Sequence, residues 1–179
     1  MNGFKVKLRR YKYTIQQFFM CPIHRALGKQ MVHYIHVGKT GGTSIKIALM
    51  SFGRKTKTHY FCLHGHGFRL KDVPKNDIAV ITVRDIDARE ASAYHARKWK
   101  ADHYGRFKRL LIGMGKTEMA HIKLGYTKAH KPQAWYWEDA EDRQVYILHT
   151  ESLSEEFEIF KQVMGIPPWV KCGHENQGS

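Results

Sequence analysis

Cysteine is scarce in this chain of 179 residues, which contains only 3. Cys21, Cys62 and Cys172 lie far apart, and an odd number of cysteines does not suit a disulfide scaffold. None of them stands in the paired spacing that is typical of a structural zinc site. We therefore expect a protein of a reducing compartment, with a fold that does not depend on disulfides.

Long apolar runs are also missing. No run reaches the roughly 20 residues that a membrane-spanning helix requires. The stretch from Ile15 to Ile23 is interrupted by Gln16, Gln17 and Pro22, so it lacks the continuous apolar region of a secretory signal. The sequence therefore predicts neither a signal peptide nor a transmembrane segment.

Acidic residues are few as well, and the formal net charge is +14. Residues 1–30 form a basic arm without any acid, and a second basic stretch runs from Arg97 to Lys131. Such charge suits an anionic cofactor or an acidic acceptor, and it equally suits nucleic acid or an anionic membrane surface that the arm touches. We interpret residues 31–179 as a single domain.

The most informative segment follows a short apolar strand. Lys39, Thr40, Gly41, Gly42, Thr43 and Ser44 form a turn that leads into a helix. At such a turn the backbone amides converge, glycines permit close approach, and the helix N-terminus adds partial positive charge. Lys39 supplies a full charge, and the hydroxyl groups of Thr43 and Ser44 supply further donors. The pattern predicts a phosphate-binding loop.

The lysine precedes the glycine pair, whereas in a Walker A loop it follows the last glycine. The segment instead resembles the 5′-phosphosulfate loop of sulfotransferases that use 3′-phosphoadenosine 5′-phosphosulfate (PAPS). It is most similar to the carbohydrate branch, where the usual form is His-Val-Pro-Lys-Thr-Gly-Gly-Thr-Ser. This chain has Gly38 in place of the proline, which loosens the loop entry and removes no donor.

A second motif follows the β-branched run Ile78 to Val83, which is typical of a buried parallel strand. Arg84 would stand at the carboxyl end of this strand, where open α/β sheets bind ligands. Arg84 and Ser92 occupy the matching places of the family's 3′-phosphate motif, Val-Arg-Asp-x-x-x-Arg-x-x-Ser-x-Tyr. Ile86 replaces the proline that the family usually carries after Arg-Asp. Two phosphate-binding segments fit PAPS better than ATP.

Histidines lie between the two motifs, at His64 and His66. Sulfuryl transfer to a hydroxyl requires a proton acceptor, and histidine titrates near neutrality. Related carbohydrate sulfotransferases carry a Gly-His or His-x-His segment here, which implies His66 as the first candidate for the base and His64 as the second. A structural histidine pair and a weak metal site are the alternatives.

The resemblance implies direct in-line displacement without a metal. Lys39 would neutralise charge on the bridging oxygen, a histidine would accept the proton, and the acceptor would be a hydroxyl of a carbohydrate or similar, possibly acidic, metabolite. Many eukaryotic relatives carry an N-terminal membrane anchor. Since none is evident here, we expect a bacterial or viral-type cytoplasmic protein.

Alternation of strands and helices predicts a three-layer α/β fold with a central, mainly parallel sheet, as in P-loop NTPases and sulfotransferases. We expect strands at 32–37, 58–63, 78–83 and 145–148, and helices at 43–52, from residue 87 onward and at 154–164. The resemblance covers about residues 32–176, although the chain is short for the family.

Two other functions are compatible with the sequence. A small nucleotide or metabolite kinase would need an aspartate that binds magnesium, and Asp85 is the candidate. A non-catalytic nucleic-acid-binding domain is supported by charge alone, and it would show affinity that falls with salt concentration.

Overall fold

The computed structural model describes residues 19–92, 132–138 and 143–173. Its centre is a sheet of four strands: β1 (Gln30–Ile35), β2 (His59–Leu63), β3 (Ile78–Val83) and β4 (Val145–His149). The strands pair in the order β2-β1-β3-β4, and every pairing is parallel. Parallel strands require crossover connections, which place the connecting segments on the sheet faces.

The strand order creates a switch point between β1 and β3. The chain leaves β1 toward β2 on one side, and it leaves β3 toward β4 on the other. Val32 pairs with Ile78 and Ile35 with Ile81, so the two strands end at the same edge. Open α/β sheets bind ligands at such a position, beyond the carboxyl ends of the strands. The two predicted phosphate-binding segments follow these two strands.

One face of the sheet is covered by two helices, α1 (Gly42–Ser51) and α2 (Leu153–Met164). Every residue of β1 after Gln30 is buried, as the apolar composition of a central parallel strand predicts. Alternate residues of the strands meet apolar residues of both helices in one cluster, which includes Val32, Tyr34, Ile45, Leu49, Phe61, Val80, Phe157 and Phe160. This cluster anchors α1, and therefore the loop that precedes it.

The opposite face is covered by shorter elements. These are a helical segment at 19–26 and two 3-10 turns, Leu70–Asp72 and Gln133–Tyr136. Tyr136 packs with Ile35 and Ile81, while Met20 and Cys21 pack against Met31, Tyr60 and Cys62. An open apolar groove of about 270 Å³ remains on this face, lined by Leu70, Ile81, Val83, Trp137, Val145 and Ile147.

The predicted three-layer α/β architecture is confirmed, and the predicted elements agree closely with those observed. β1 is displaced by two residues toward the N-terminus, and the helix after Arg84 begins at residue 86. Residues 1–18 of the basic arm and the stretch from Arg97 to Lys131 lie outside the described residues. Within the part that the structure describes, no helix has the length and apolarity needed to cross a membrane.

Candidate functional site

The loop after β1 spans residues 36–41 and turns sharply. Lys39 and Gly41 both have positive backbone φ angles, of 68° and 71°. Glycine adopts this left-handed conformation without strain, whereas for lysine it is uncommon and unfavourable. A Cβ atom at Gly41 would also lie only 3.1 Å from Cδ2 of Leu153. The backbone at Lys39 is therefore held in a strained turn by its surroundings, as is often found at ligand-binding sites.

Gly41 is the N-cap residue of α1, and no side chain caps the helix. The first turn contains no acidic residue either. The first amides of a helix have no intrahelical acceptor, and the helix dipole favours an anion beside them. Thr43 is exposed at this end, and Ser44 is buried with 8% of its surface accessible. The loop thus offers backbone donors to an anion, with Lys39 half-buried next to them.

Thr40 connects the loop to β3 through its side chain. Its side chain is fully buried, and its hydroxyl donates to the Val37 carbonyl at 3.0 Å. The same oxygen lies 2.7 Å from the hydroxyl of Thr82, which in turn lies 3.0 Å from that of Tyr34. Here the Thr40 hydroxyl binds the loop to β3 through Thr82.

A second link joins the loop to the segment after β3. Nε of Arg89 donates to the Gly38 carbonyl at 2.9 Å. Burial lowers the pKa of Arg89, whereas nearby Tyr136 and Glu90 act in the opposite direction. Tyr136 is fully buried beside Gly38, and this burial raises the pKa of its hydroxyl. The predicted 5′ loop and the predicted 3′ segment are thus fastened together twice, through Thr82 and through Arg89.

Arg84 follows β3 directly, at the edge shared with the loop. Its backbone is fixed by Gln133: the Arg84 amide donates to Oε1 at 3.0 Å, and Nε2 donates to the Arg84 carbonyl at 2.6 Å. The side chain is half-buried, and within the described residues no hydrogen bond or ion pair involves its guanidinium. A fixed backbone with an uncommitted guanidinium suits the recognition of an anion.

The helix after Arg84 begins at residue 86, and Asp85 caps it. The Ala88 amide donates to Oδ1 of Asp85 at 2.9 Å, while the Asp85 amide donates to Glu151 at 3.0 Å. A carboxylate at this position compensates the helix dipole. Ser92 lies two turns further along, half-buried. Asp85 therefore has a structural role in the loop that presents Arg84.

His36 and His66 form one histidine pair at the site. Their ring centroids are 4.1 Å apart, and Nδ1 of His66 donates to the His36 carbonyl at 3.1 Å. A Cβ atom at Gly42 would lie 2.3 Å from Cδ2 of His36. The His36 ring therefore packs directly against the start of α1. Burial lowers the pKa of His36 to about 2, with Lys46 and His66 adding to the effect.

His64 belongs to a separate chain of hydrogen bonds on the opposite face of the sheet. Its Nε2 atom lies 2.9 Å from Nδ1 of His33, and Nε2 of His33 lies 3.0 Å from Oδ2 of Asp77. Arg25 donates to the same carboxylate oxygen at 2.6 Å. The ring of His64 also stacks on Phe68, with centroids 3.5 Å apart. Burial lowers the pKa of His64 to about 3, and His33 and Lys46 contribute.

Sequence reasoning missed His33, His36, Asp77 and Arg89. The three-residue spacing of His33 and His36 around the end of β1 is visible, but no local signal pairs Asp77 with His33. Arg89 stands inside the quoted motif, where only Arg84 and Ser92 were assigned to the ligand. Among the described residues, no group of three or more His, Cys, Asp or Glu side chains is arranged to hold a metal ion.

Comparison of the chain with family models, with curated proteins and with solved structures gives no significant match. The resemblance to sulfotransferases therefore rests on the motifs themselves.

Proposed function

We propose that this protein is a sulfotransferase that moves the sulfuryl group of PAPS to a hydroxyl of a carbohydrate-like acceptor. One observation carries the proposal. The loop with Lys39 and the segment with Arg84 follow adjacent strands at the switch point, and Arg89 joins the second segment to Gly38 of the first at 2.9 Å. A donor with phosphates on both sides of its ribose would meet cations at both positions.

The residues at this edge fit such a donor. The uncapped start of α1 and Lys39 suit the 5′-phosphosulfate, and Arg84 with Ser92 suits the 3′-phosphate. PAPS supplies the activated sulfuryl group and a good leaving group. Lys39 would neutralise charge on the bridging oxygen as the sulfur–oxygen bond breaks, while the loop amides would hold the phosphate.

The acceptor hydroxyl must lose its proton as its oxygen attacks sulfur. His66 and His64 lie on the segment after β2, and a ring nitrogen of each takes part in a hydrogen bond. A neutral histidine accepts a proton only at the ring nitrogen that carries a lone pair. The reaction needs no Mg²⁺ in this scheme, and Asp85 keeps its role as a helix cap. We place the enzyme in the cytoplasm, with PAPS and an acceptor as its partners.

The test is calorimetry with adenosine 3′,5′-bisphosphate, adenosine 5′-monophosphate and ATP, without added magnesium. We expect the bisphosphate to bind most tightly. Arg84→Ala should weaken the bisphosphate by roughly 10- to 100-fold, the range for loss of a charge-assisted contact, and change the monophosphate little. Lys75→Ala removes one exposed positive charge from the turn before β3 and serves as the control.

Tighter binding of ATP than of the bisphosphate, or an equal effect of both substitutions, would overturn the donor assignment. Transfer is then measured with PAPS and a panel of neutral and acidic saccharides. A magnesium requirement for turnover would favour the kinase instead.

A further inference from the structure

We propose that Asp77 and His33 are positioning residues that present His64, through its Nδ1 atom, as the proton acceptor of the site. This inference rests on the proposed function and deepens it, since it selects between the two histidines after β2. It begins from a hydrogen-bonded chain that links four side chains on one face of the sheet: Arg25, Asp77, His33 and His64.

These hydrogen bonds run from the amino-terminal edge of the sheet to its carboxyl-terminal edge. Asp77 immediately precedes β3, at the amino edge, and His33 lies within β1. His64 immediately follows β2, at the carboxyl edge, where its amide donates to the Tyr34 carbonyl at 2.9 Å. The register explains this alignment, because His33 pairs with Ala79 on one side and with Cys62 on the other. Asp77 and His64 each stand two residues from these partners, so their side chains emerge on the same face as that of His33.

Elementary hydrogen-bond chemistry fixes the direction of each bond. A carboxylate only accepts, so Nε2 of His33 must carry the proton that bonds to Asp77. Burial lowers the pKa of His33, while Asp77 opposes this effect. A neutral His33 with a protonated Nε2 has a lone pair on Nδ1. Nε2 of His64 must therefore donate to it, and a neutral His64 then has its own lone pair on Nδ1.

The geometry of the His33–His64 pair allows His33 to fix the orientation of His64. The ring planes of His33 and His64 differ by 4°, and their centroids lie 5.1 Å apart although Nδ1 and Nε2 are only 2.9 Å apart. The two rings therefore meet edge to edge, and the hydrogen bond lies in the plane of both imidazoles. Phe68 covers a face of His64, with ring planes 3° apart. Within the described residues, no hydrogen bond to Nδ1 of His64 is present. The imidazole is thus fixed in tautomer and in orientation, as the histidine of a catalytic triad is.

In the reaction, the acceptor oxygen would attack sulfur while its proton passes to Nδ1 of His64. The sulfur–oxygen bond to the 5′-phosphate breaks, and adenosine 3′,5′-bisphosphate leaves with that electron pair. The imidazolium formed at His64 keeps its Nε2 proton shared with His33, which lies between it and the Asp77 carboxylate. Among the described residues, Arg25 and Lys46 are cations that act on these histidines, and a bound donor anion would offset the charge of Lys46.

His66 has a different role in this scheme. It donates to the backbone carbonyl of His36, and its ring packs on that of His36, which lies against Gly42 at the start of α1. The His36–His66 pair therefore supports the phosphate-binding loop. Loss of His66 should weaken donor binding more than it slows transfer, whereas loss of His64 should do the reverse.

The first readout is independent of activity. Long-range ¹H–¹⁵N NMR spectra of the histidine side chains should show His64 with a protonated Nε2 and an unprotonated Nδ1. In His33→Phe, His64 should become a mixture of tautomers. His24→Phe is the matched control, because His24 is also buried and takes no part in the hydrogen bonds that link Asp77, His33 and His64. A protonated Nδ1 on His64 in the native protein, or an unchanged tautomer in His33→Phe, would overturn the proposal.

The second readout is transfer. We expect His64→Gln to lower kcat by roughly 10²- to 10⁴-fold, the usual contribution of a general base, with bisphosphate affinity retained. His33→Phe should lower kcat by roughly 10- to 100-fold, as partners that orient a reacting imidazole do. A kcat loss in His66→Gln that exceeds the loss in His64→Gln would overturn the choice of His64. If the tautomer shift is found but neither PAPS nor the bisphosphate binds, the hydrogen-bonded chain stands and the proposed sulfotransferase function fails.

Discussion

The hydroxyl of Thr40 lies 2.7 Å from the hydroxyl of Thr82, and both side chains are fully buried. Thr40 is adjacent to Lys39, and Thr82 stands two residues before Arg84. The contact therefore fixes the distance between the two segments that we assign to the donor. It depends on the direct pairing of β1 with β3, which places the ends of both strands side by side.

Thr82→Val tests how much the hydrogen bond between Thr40 and Thr82 contributes to stability and to donor binding. The substitution keeps the shape of the side chain but leaves the buried hydroxyls of Thr40 and Tyr34 without their shared partner. We expect the free energy of unfolding to fall by about 1–3 kcal/mol, measured by chemical denaturation, with weaker binding of adenosine 3′,5′-bisphosphate. Tyr34→Phe removes a hydroxyl at the end of the network and leaves the Thr40–Thr82 contact intact. Equal losses of affinity in both variants would contradict a specific role for that contact.

The sequence predicted the elements well because their signals are local. A β-branched run such as Ile78 to Val83 favours a strand, and the glycine pair before Thr43 favours a turn into a helix. The contacts between side chains that lie far apart in the sequence were not predictable in the same way. The role of Asp77 carries no local signal, because its contact with His33 depends on strand register and on the neighbours of β1. The contact of Thr40 with Thr82 was not predictable for the same reason, since nothing near Thr40 in the sequence shows that Thr82 lies beside it.

Lys39→Gly tests whether a lysine occupies this strained backbone position because its side chain binds the donor. Lysine at a φ of 68° is less favourable than glycine by roughly 1–2 kcal/mol. We therefore expect the glycine variant to unfold with an equal or higher free energy, while affinity for the bisphosphate and transfer from PAPS are lost. Lys39→Ala is the companion variant, since it loses the charge and keeps the strain. If the glycine variant had a lower free energy of unfolding than the alanine variant, the prediction that glycine relieves backbone strain at residue 39 would be wrong.

Gly42→Ala should disturb the start of α1. A Cβ atom there would lie 2.3 Å from Cδ2 and 2.6 Å from Nε2 of His36, so the imidazole must move. We expect a loss of roughly 1–3 kcal/mol of stability, typical of overpacking, together with altered NMR signals of His36 and His66. Gly67→Ala is the control, because a Cβ atom there would meet nothing within 4 Å. Similar losses in both variants would show that the clash with His36 is not the cause.

Mild acid should destabilise the protein through its buried histidines. Burial lowers the pKa of His24, His33, His36 and His64 in the folded state, to about 2 for His36 and about 3 for His64. In the unfolded chain these groups titrate near 6.5, so the unfolded state binds more protons below that pH. Their contribution is fully present above about pH 6.5 and is lost progressively as the pH falls toward the folded values.

The free energy of unfolding should therefore fall between pH 7 and pH 5.5, a window that lies above the range in which ordinary carboxylates titrate. His24→Phe isolates one contributor, because its ring is buried and stacked on Tyr60, and neither ring nitrogen has a hydrogen-bond partner among the described residues. Replacing an unsatisfied polar ring with an apolar one should raise the stability at pH 7 by roughly 1–3 kcal/mol. It should also reduce the slope of stability against pH, since one proton-binding site of the unfolded chain is removed. An unchanged slope in His24→Phe, measured by denaturation at half-unit pH intervals, would show that this histidine titrates alike in the folded and unfolded states, against the lowered pKa on which the prediction rests.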